Sequence, residues 1–574
     1  MGELAHGLGR IETVNGSGAT ARLLKTVVAA NDQDMLTIGR LVGIRVGTSL
    51  VVASVTSMTV NMPEADDEEG GHLVAAVHFM GEIKAYRTPE ASFQRGVSNY
   101  PTIGDVVSRL QTDDIAVIHR IETGDTIDIG RLRLDSSVPA FVNFDELLRK
   151  HFAVLGTTGV GKSSAVALIL QEILKKKANL RIFLVDPHNE YGGCFGELAH
   201  VMNPKNLQLP YWLFNFEEIV DVFFRGRPGV EEETEILAEL IPVAKARYAA
   251  SQRGERVALR KQSGGGFTAD TPVPYRISEL VKLIDERMGK LENRSAWTKY
   301  HRLITRIETL GNDSRYAFMF NNLFVEDMMV QVLEELFRMP INGQPITVMQ
   351  LAGFPAEVVD SVVSVVCRMG FEFGVWSEGS APLLVCCEEV HRYAPADRKL
   401  GFGPTRKALS RIAKEGRKYS VFLGAITQRP SDLDSTILSQ CSTVFAMRMA
   451  NDRDQDIVRS AVPDAAASLI EFLSSLGTRE AIAFGEGVPL PTRFSFNALA
   501  EERLPRSQTG RLGRLSEGED FDDDYIRSVV DRWRESSTTN SAPRIGLSAL
   551  EDAGMGAGLG EDAFGSPLVP RKAG

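Results

Sequence analysis

Eight consecutive residues set the first chemical expectation. Gly156-Thr157-Thr158-Gly159-Val160-Gly161-Lys162-Ser163 fits G-x-x-x-x-G-K-[ST] in full, and Ser164 follows in the same nucleotide-binding set. Glycines let backbone N–H groups curl around phosphate oxygens, and a helix beginning here adds the positive end of its dipole. In such a loop Lys162 reaches the β- and γ-phosphate oxygens, and the Ser163 hydroxyl ligates Mg2+. Leu383-Leu-Val-Cys-Cys387 is an apolar run that ends in Glu388 and Glu389. Acids delivered at the C-terminal end of a strand beside a phosphate loop are a Walker B arrangement. Neighbouring residues of a strand point to opposite sides, so the two acids should divide the work. Glu388 is expected in the Mg2+ shell through water, where many such enzymes carry Asp. Glu389 is expected to polarise the attacking water.

Three further groups sit where such a site needs them, each with two readings open. Asp186-Pro-His-Asn-Glu190-Tyr191 closes an apolar run. Either Asp186 or Glu190 faces the γ-phosphate and its water, or Asp186 caps the turn ahead of Pro187. Gln428, after Val421–Thr427, either senses the γ-phosphate or is a polar strand end. Arg417, in Arg411-Ile-Ala-Lys-Glu-Gly-Arg417-Lys418, is either a solvated helix end or an arginine that serves a neighbouring subunit's nucleotide.

The elements needed to hold these groups can be read from texture. His151–Leu155 and Arg181–Asp186 are apolar runs flanking Ser163–Lys177, which has helical spacing and ends in Lys175-Lys-Lys177. Strand, helix and strand in that order predict a βαβ unit and a parallel sheet. Ile346–Leu351, Leu383–Cys387, Val421–Thr427 and Thr443–Met447 add four apolar strands, giving an α/β, doubly wound core. Between the halves, Glu231–Leu240, Ile277–Lys290 and Trp297–Leu310 have helical periodicity, with the Gly/Ser-containing stretch 262–268 among them. Ahead of the core, residues 9–135 carry short β-branched runs such as Gly9–Val14, Leu41–Val46, Ser49–Val55 and Leu73–Phe79. They predict a small barrel or sandwich, with the acidic cluster Asp66–Gly71 at a hairpin tip. The expected boundaries are a β-barrel over 1–140, the ATPase core over 141–214 and 341–504, and a helical insertion over 215–340. A C-terminal helix near Asp524–Arg534 and a Ser/Gly/Pro-rich tail complete 505–574.

Composition narrows the class. The 574 residues carry 64 basic and 75 acidic side chains, net −11, which excludes a uniformly basic nucleic-acid coat. A local basic channel is still allowed. The five cysteines (Cys194, Cys367, Cys386, Cys387, Cys441) contain no C-x-x-C pair and suit a reducing compartment. The start, Met1-Gly-Glu-Leu-Ala-His6, lacks the pattern of a secretory signal, and no apolar run is long enough to span a bilayer. A cytoplasmic protein without membrane partners is expected.

The loop Gly156–Ser163, Asp186-Pro-His-Asn-Glu-Tyr191, Glu388-Glu-Val-His391, Glu415-Gly-Arg-Lys418 and Thr427-Gln-Arg-Pro430 occur in the order found in HerA-type ATPases. These belong with the FtsK-like translocases of the RecA-like P-loop group. Arg95-Gly-Val-Ser-Asn-Tyr-Pro-Thr-Ile-Gly-Asp105 resembles the family's N-terminal HAS-barrel segment. Arg302–Phe320 is similar to its helical insertion, so the resemblance covers residues 9–500. Asn189 departs from it, standing where a Gly is common. The resemblance implies a RecA-like ATPase core, ATP and Mg2+ as ligands, and a homo-hexamer moving double-stranded DNA through its pore. It also implies a partner nuclease (NurA-like, sirtuin-like or another effector) in DNA end processing or antiphage defence. By motif, Asp186 and Glu389 serve hydrolysis, Gln428 is the sensor and Arg417 the trans-acting arginine, with Arg149 or Lys150 as a second candidate. The alternative is an ATP-switched ring scaffold that regulates an effector nuclease without processive translocation.

Overall fold

The computed structural model describes residues 7–24, 36–61, 72–121, 124–224, 227–252, 266–290, 294–320, 325–462, 467–506 and 523–537. The Asp66–Gly71 cluster, residues 262–265 and most of the tail expected after 505 lie outside these residues.

Short alternating segments need a sheet that buries one face of each. They obtain it by closing on themselves. Strands β1 (Gly7–Val14), β2 (Gly18–Leu23), β3 (Leu41–Val46), β4 (Ser49–Asn61), β5 (His72–Lys84), β6 (Ser92–Arg95) and β7 (Val106–Arg109) pair antiparallel in the order β2-β1-β7-β3-β4-β5-β6. A further β2–β5 pairing closes six of them into a barrel and leaves β6 as a flap on β5. Val42, Ile44, Val51, Ala53 and Val55 fill its interior with no residual exposure. Arg95, at the end of β6, donates from Nε to Pro489 O at 2.8 Å and from Nη2 to Gly485 O at 2.5 Å. Its polar head thereby satisfies carbonyls at the turn between residues 485 and 492 of the second sheet.

That sheet has eleven strands: β8 (Thr126–Leu132), β9 (Pro139–Asn143), β10 (Phe152–Leu155), β11 (Arg181–Asp186), β12 (Ala199–Met202), β13 (Ile346–Gln350), β14 (Leu383–Cys387), β15 (Val421–Thr427), β16 (Thr443–Met447), β17 (Glu480–Gly485) and β18 (Thr492–Phe496). Their order is β12-β13-β11-β14-β15-β10-β16-β17-β18-β8-β9. The first seven run parallel, and β17, β18, β8 and β9 extend the sheet antiparallel. This is the expected RecA-like, doubly wound core. The strand segments read from sequence recur as β10, β11 and β13 to β16. The antiparallel extension does not: β8 and β18 mix polar with apolar residues, and the apolar runs within β9 and β17 are short. Strand β8 lies on the barrel side of the boundary expected at 140 and β9 straddles it, yet both pair into this sheet.

Register aligns the carboxyl ends. Leu155 is level with Thr427 and Ala446, and Val185 with Cys387. The residues just past Leu155, Val185, Cys387, Thr427 and Met447 therefore emerge along one edge, where ligands of open α/β sheets bind. The helix Lys162–Lys176 fixes the loop before it by burying Ala165, Val166, Ile169, Leu170 and Ile173. Each such large aliphatic is worth about 1.5–3 kcal/mol when fully buried.

A second compact unit comprises Pro210–Trp212, Gly226–Glu326 and Phe521–Gly574. It contains the helices Glu231–Gln252, Ile277–Met288 and Arg294–Asn312, with short turns following. Its buried Lys245 donates to Ala269 O and Thr271 O, both at 2.6 Å, and burial lowers its pKa to about 8.

Candidate active site

The phosphate loop is held between the ends of the two strands flanking its own. Gly156 N–H donates to Thr427 O at 3.3 Å, while Thr157 donates from both N and Oγ1 to Arg448 O at 3.0 and 3.1 Å. Thr158 Oγ1 donates to Gln428 Oε1 at 2.5 Å. Glycine is required at both ends of the loop. A Cβ on Gly156 would lie 2.8 Å from Met447 Cβ, and Gly161 has φ +97°, a conformation that side chains resist. Gly161 caps the helix Lys162–Lys176, so the first-turn amides of Lys162, Ser163 and Ser164 stay free of helical partners.

Lys162 is 7% exposed and donates to Thr157 O at 3.3 Å. Burial lowers its pKa, and the carboxylates of Glu389, Glu388 and Glu190 oppose that shift. One cation thus faces three acids, so the pocket needs added positive charge before it can hold a polyanion. Glu388 and Glu389 follow β14, which is two strands from β10. Strand β15 intervenes between β10 and β14, and Gln428, just past its end, bonds to Thr158 of the loop.

Glu388 and Glu389 are 4% and 8% exposed. Burial, with Glu190 and Asp186 adding to it, pushes the Glu388 carboxyl up to about 8, against the Tyr191 hydroxyl and Lys162. Although that hydroxyl is close enough to act on Glu388, neither it nor Glu388 Oε2 has a partner at hydrogen-bonding geometry. Glu389 adopts a left-handed conformation (φ +51°) at the start of Val390–Tyr393, so strand alternation does not place it. Such backbone strain costs roughly 1–2 kcal/mol and clusters at functional sites. His391 Nδ1 lies 3.2 Å from Glu389 Oε2 and 2.9 Å from Thr427 Oγ1. The Glu389 contact is not aligned as a hydrogen bond, which leaves Oε2 buried without one. Burial lowers the His391 pKa, so the ring is held neutral against the acid.

Asp186 is fully buried and accepts from Glu190 N at 3.1 Å (Oδ1) and from Tyr191 N at 2.9 Å (Oδ2). Of its two readings, the turn-capping one describes the geometry, with burial raising its pKa against those hydrogen bonds. Asn189 explains its departure from Gly. It has φ +56°, which Asn tolerates better than most residues, and it exchanges two hydrogen bonds with the Ala352 backbone at 3.2 and 3.3 Å. The turn directs Glu190 at the phosphate loop, where its Oε2 accepts from Ser163 Oγ at 2.7 Å.

Arg417 lies in the turn Gly416–Tyr419 ahead of β15 and is exposed. It is close enough to depress the pKa of His151, which precedes β10. It therefore sits at the amino edge of the sheet, a seven-residue strand (about 20 Å) from the phosphate loop. Lys150 shares that edge, paired to Glu146 at 3.3 Å and to Glu486. Sequence reasoning missed Arg479, which has φ +63° and donates its N–H to Val160 O at 2.9 Å. Nothing in its local sequence marks it, because only the β17–β18 extension brings it to the loop. Next to the loop a polar cleft of about 570 Å³ is lined by Thr157, Thr158, Gln428, Arg429, Asn451 and Asp454, among others.

Comparison with known proteins places this geometry. Residues 127–370 match the family model described as "Helicase HerA, central domain". Over that span the chain is similar to HerA helicases. It is 27% identical over 524 residues to the DNA double-strand break repair helicase HerA of Pyrococcus furiosus, covering 85% of this chain and 87% of that one. A protein named as a probable helicase from Methanocaldococcus jannaschii is 28% identical over 67% of this chain and 72% of its own. Among solved structures, VirB4 of Thermoanaerobacter pseudethanolicus aligns with a TM-score of 0.45 at 14% identity, over 67% of this chain and 99% of that one. The loop Gly156–Ser163, Asp186–Tyr191, Glu388–His391 and Thr427–Pro430 lie along the carboxyl edge of the sheet, and Glu415–Lys418 at its amino edge. No helix among the described residues is long and apolar enough to cross a membrane.

Proposed function

We propose that this HerA-like chain is an ATP hydrolase that assembles into a homo-hexameric ring and drives double-stranded DNA through its pore, acting with a partner nuclease. The observation that carries this reading is the phosphate loop clamped between the ends of β15 and β16, with Lys162 facing Glu389 and Gln428 bonded to Thr158. The relatives' printed name, a double-strand break repair helicase, favours DNA end processing over antiphage defence. Five free, buried cysteines suit a cytoplasmic setting.

The residues fit ATP with Mg2+. Free first-turn amides, a buried ammonium and the Ser163 hydroxyl face one space, beside carboxylate oxygens that lack partners. Bound Mg2+ would neutralise charge on the phosphates. Lys162 binds the β/γ oxygens, and Glu389 orients the water and receives its proton. Gln428 exchanges its bond to Thr158 for one to the γ-phosphate. Loss of that phosphate returns Gln428 to Thr158, shifting the end of β15 relative to the loop and so coupling hydrolysis to movement. Grip on DNA comes from local basic loops in the pore, since the chain as a whole is net −11.

Arg417 cannot reach its own nucleotide from the amino edge of the sheet, so its substrate contact must come across a subunit seam. R417A is expected to lower turnover by roughly 10³- to 10⁵-fold, the range for a trans-acting arginine. Co-assembly of R417A with K162A subunits should restore turnover. An R417A loop then meets an intact arginine on its K162A neighbour. Co-assembled rings that stay inactive would overturn the seam.

A further inference from the structure

The sequence gives the Mg2+ shell two candidates by type, Ser163 and the first acid of the Glu388-Glu389 pair. The structure puts a different carboxylate on Ser163. Its Oγ donates to Glu190 Oε2 at 2.7 Å, and Glu190 comes from the turn after β11, not from β14. We infer that Glu190, held by the Asp186–Asn189 turn, is the positioning carboxylate that orients Ser163 toward Mg2+. This rests on the proposed ATPase reading.

Four observations converge on that assignment. The backbone carrying Glu190 is fixed from both sides: its own N–H donates to Asp186 Oδ1, and its carbonyl accepts from Arg506 N at 3.0 Å. Asn189, the residue before it, is clamped to Ala352 by two hydrogen bonds. Glu388 Oε2 has no hydrogen-bond partner, and the fully buried Tyr191 hydroxyl is close to both Glu388 and Ser163. Finally, the Ser163 hydroxyl spends its one proton on Glu190 Oε2. A serine whose proton is directed at a carboxylate presents its oxygen lone pairs elsewhere, the orientation a metal ligand needs.

The roles of the four acids of the two motifs then separate by element. Asp186 holds a turn, Glu190 orients the serine, Glu389 acts on water, and Glu388 stays a buried acid facing Lys162.

The test separates metal affinity from nucleotide affinity in the full-length protein. The probes are Mn2+ followed by electron paramagnetic resonance and a fluorescent, slowly hydrolysed ATP analogue titrated with and without Mg2+. E190Q, which keeps the size of the side chain, should weaken Mn2+ in the nucleotide complex by roughly 10- to 100-fold, as loss of an outer-shell partner does. Its affinity for the analogue without metal should be unchanged. Adding E190Q to S163A should cause no further loss of Mn2+ affinity, because the two act as one unit. A purely structural Glu190 would instead lower nucleotide affinity with and without metal. E190Q with wild-type Mn2+ affinity, or E388Q alone reproducing the metal defect, would overturn the assignment. K162A serves as the control for the underlying reading. If it binds the analogue normally, the nucleotide site itself is wrong, a result distinct from failure at Glu190.

Discussion

K162A is expected to reduce ATP turnover at saturating nucleotide by at least about 10²-fold, the scale for losing one preorganised charge contact at a developing anion. Phosphate release under steady-state conditions measures it. The size of the effect follows from the surroundings of the side chain. Lys162 is buried among Glu190, Glu388 and Glu389, and it is the cation whose pKa those three acids raise against burial. Removing the ammonium leaves a carboxylate-lined space facing a triphosphate, so affinity should fall together with rate. Near-normal turnover in K162A would break the assignment of residues 156–163 as the phosphate loop.

E389Q is expected to show the opposite signature. Turnover should fall by roughly 10²- to 10⁴-fold, the range for a general base, while affinity for ATP stays within a few-fold of wild type. Gln keeps the shape of the side chain and the contact with His391, so the left-handed start of Val390–Tyr393 need not change. Only the ability to accept a proton is lost. Equilibrium binding of a fluorescent nucleotide, paired with single-turnover hydrolysis, separates the two quantities. Loss of binding in E389Q would show instead that Glu389 holds the loop in place and takes no part in the chemistry.

The parts of this site written in short contiguous motifs were legible from the sequence. Gly156–Ser163 announces both its ligand and the helix that follows, because glycine spacing, lysine and hydroxyl are all local requirements. The strands carrying the other groups were legible because parallel strands buried on both faces read as apolar runs, as in Leu383–Cys387 and Val421–Thr427. What stayed hidden depended on long-range placement. Whether Asp186 faced phosphate or capped a turn was decided by which backbone amides folded back toward it. The insertion of β15 between β10 and β14 brought Gln428 to Thr158 of the loop, and no local signal specifies strand order. Arg479 reaches the loop through the antiparallel β17–β18 extension, and nothing in its own segment specifies that pairing. The edge occupied by Arg417 was equally invisible, and it puts that arginine a strand's length from the phosphate loop.

Coupling of hydrolysis to duplex DNA is the central claim, and ATP turnover by the assembled protein, measured against duplex concentration at two salt concentrations, tests it most directly. The account predicts saturable stimulation by duplex of any sequence, weakening steeply as salt rises because the grip is on phosphates. A particle that stays monomeric with nucleotide, or a ring whose turnover ignores duplex DNA at low salt, would contradict it.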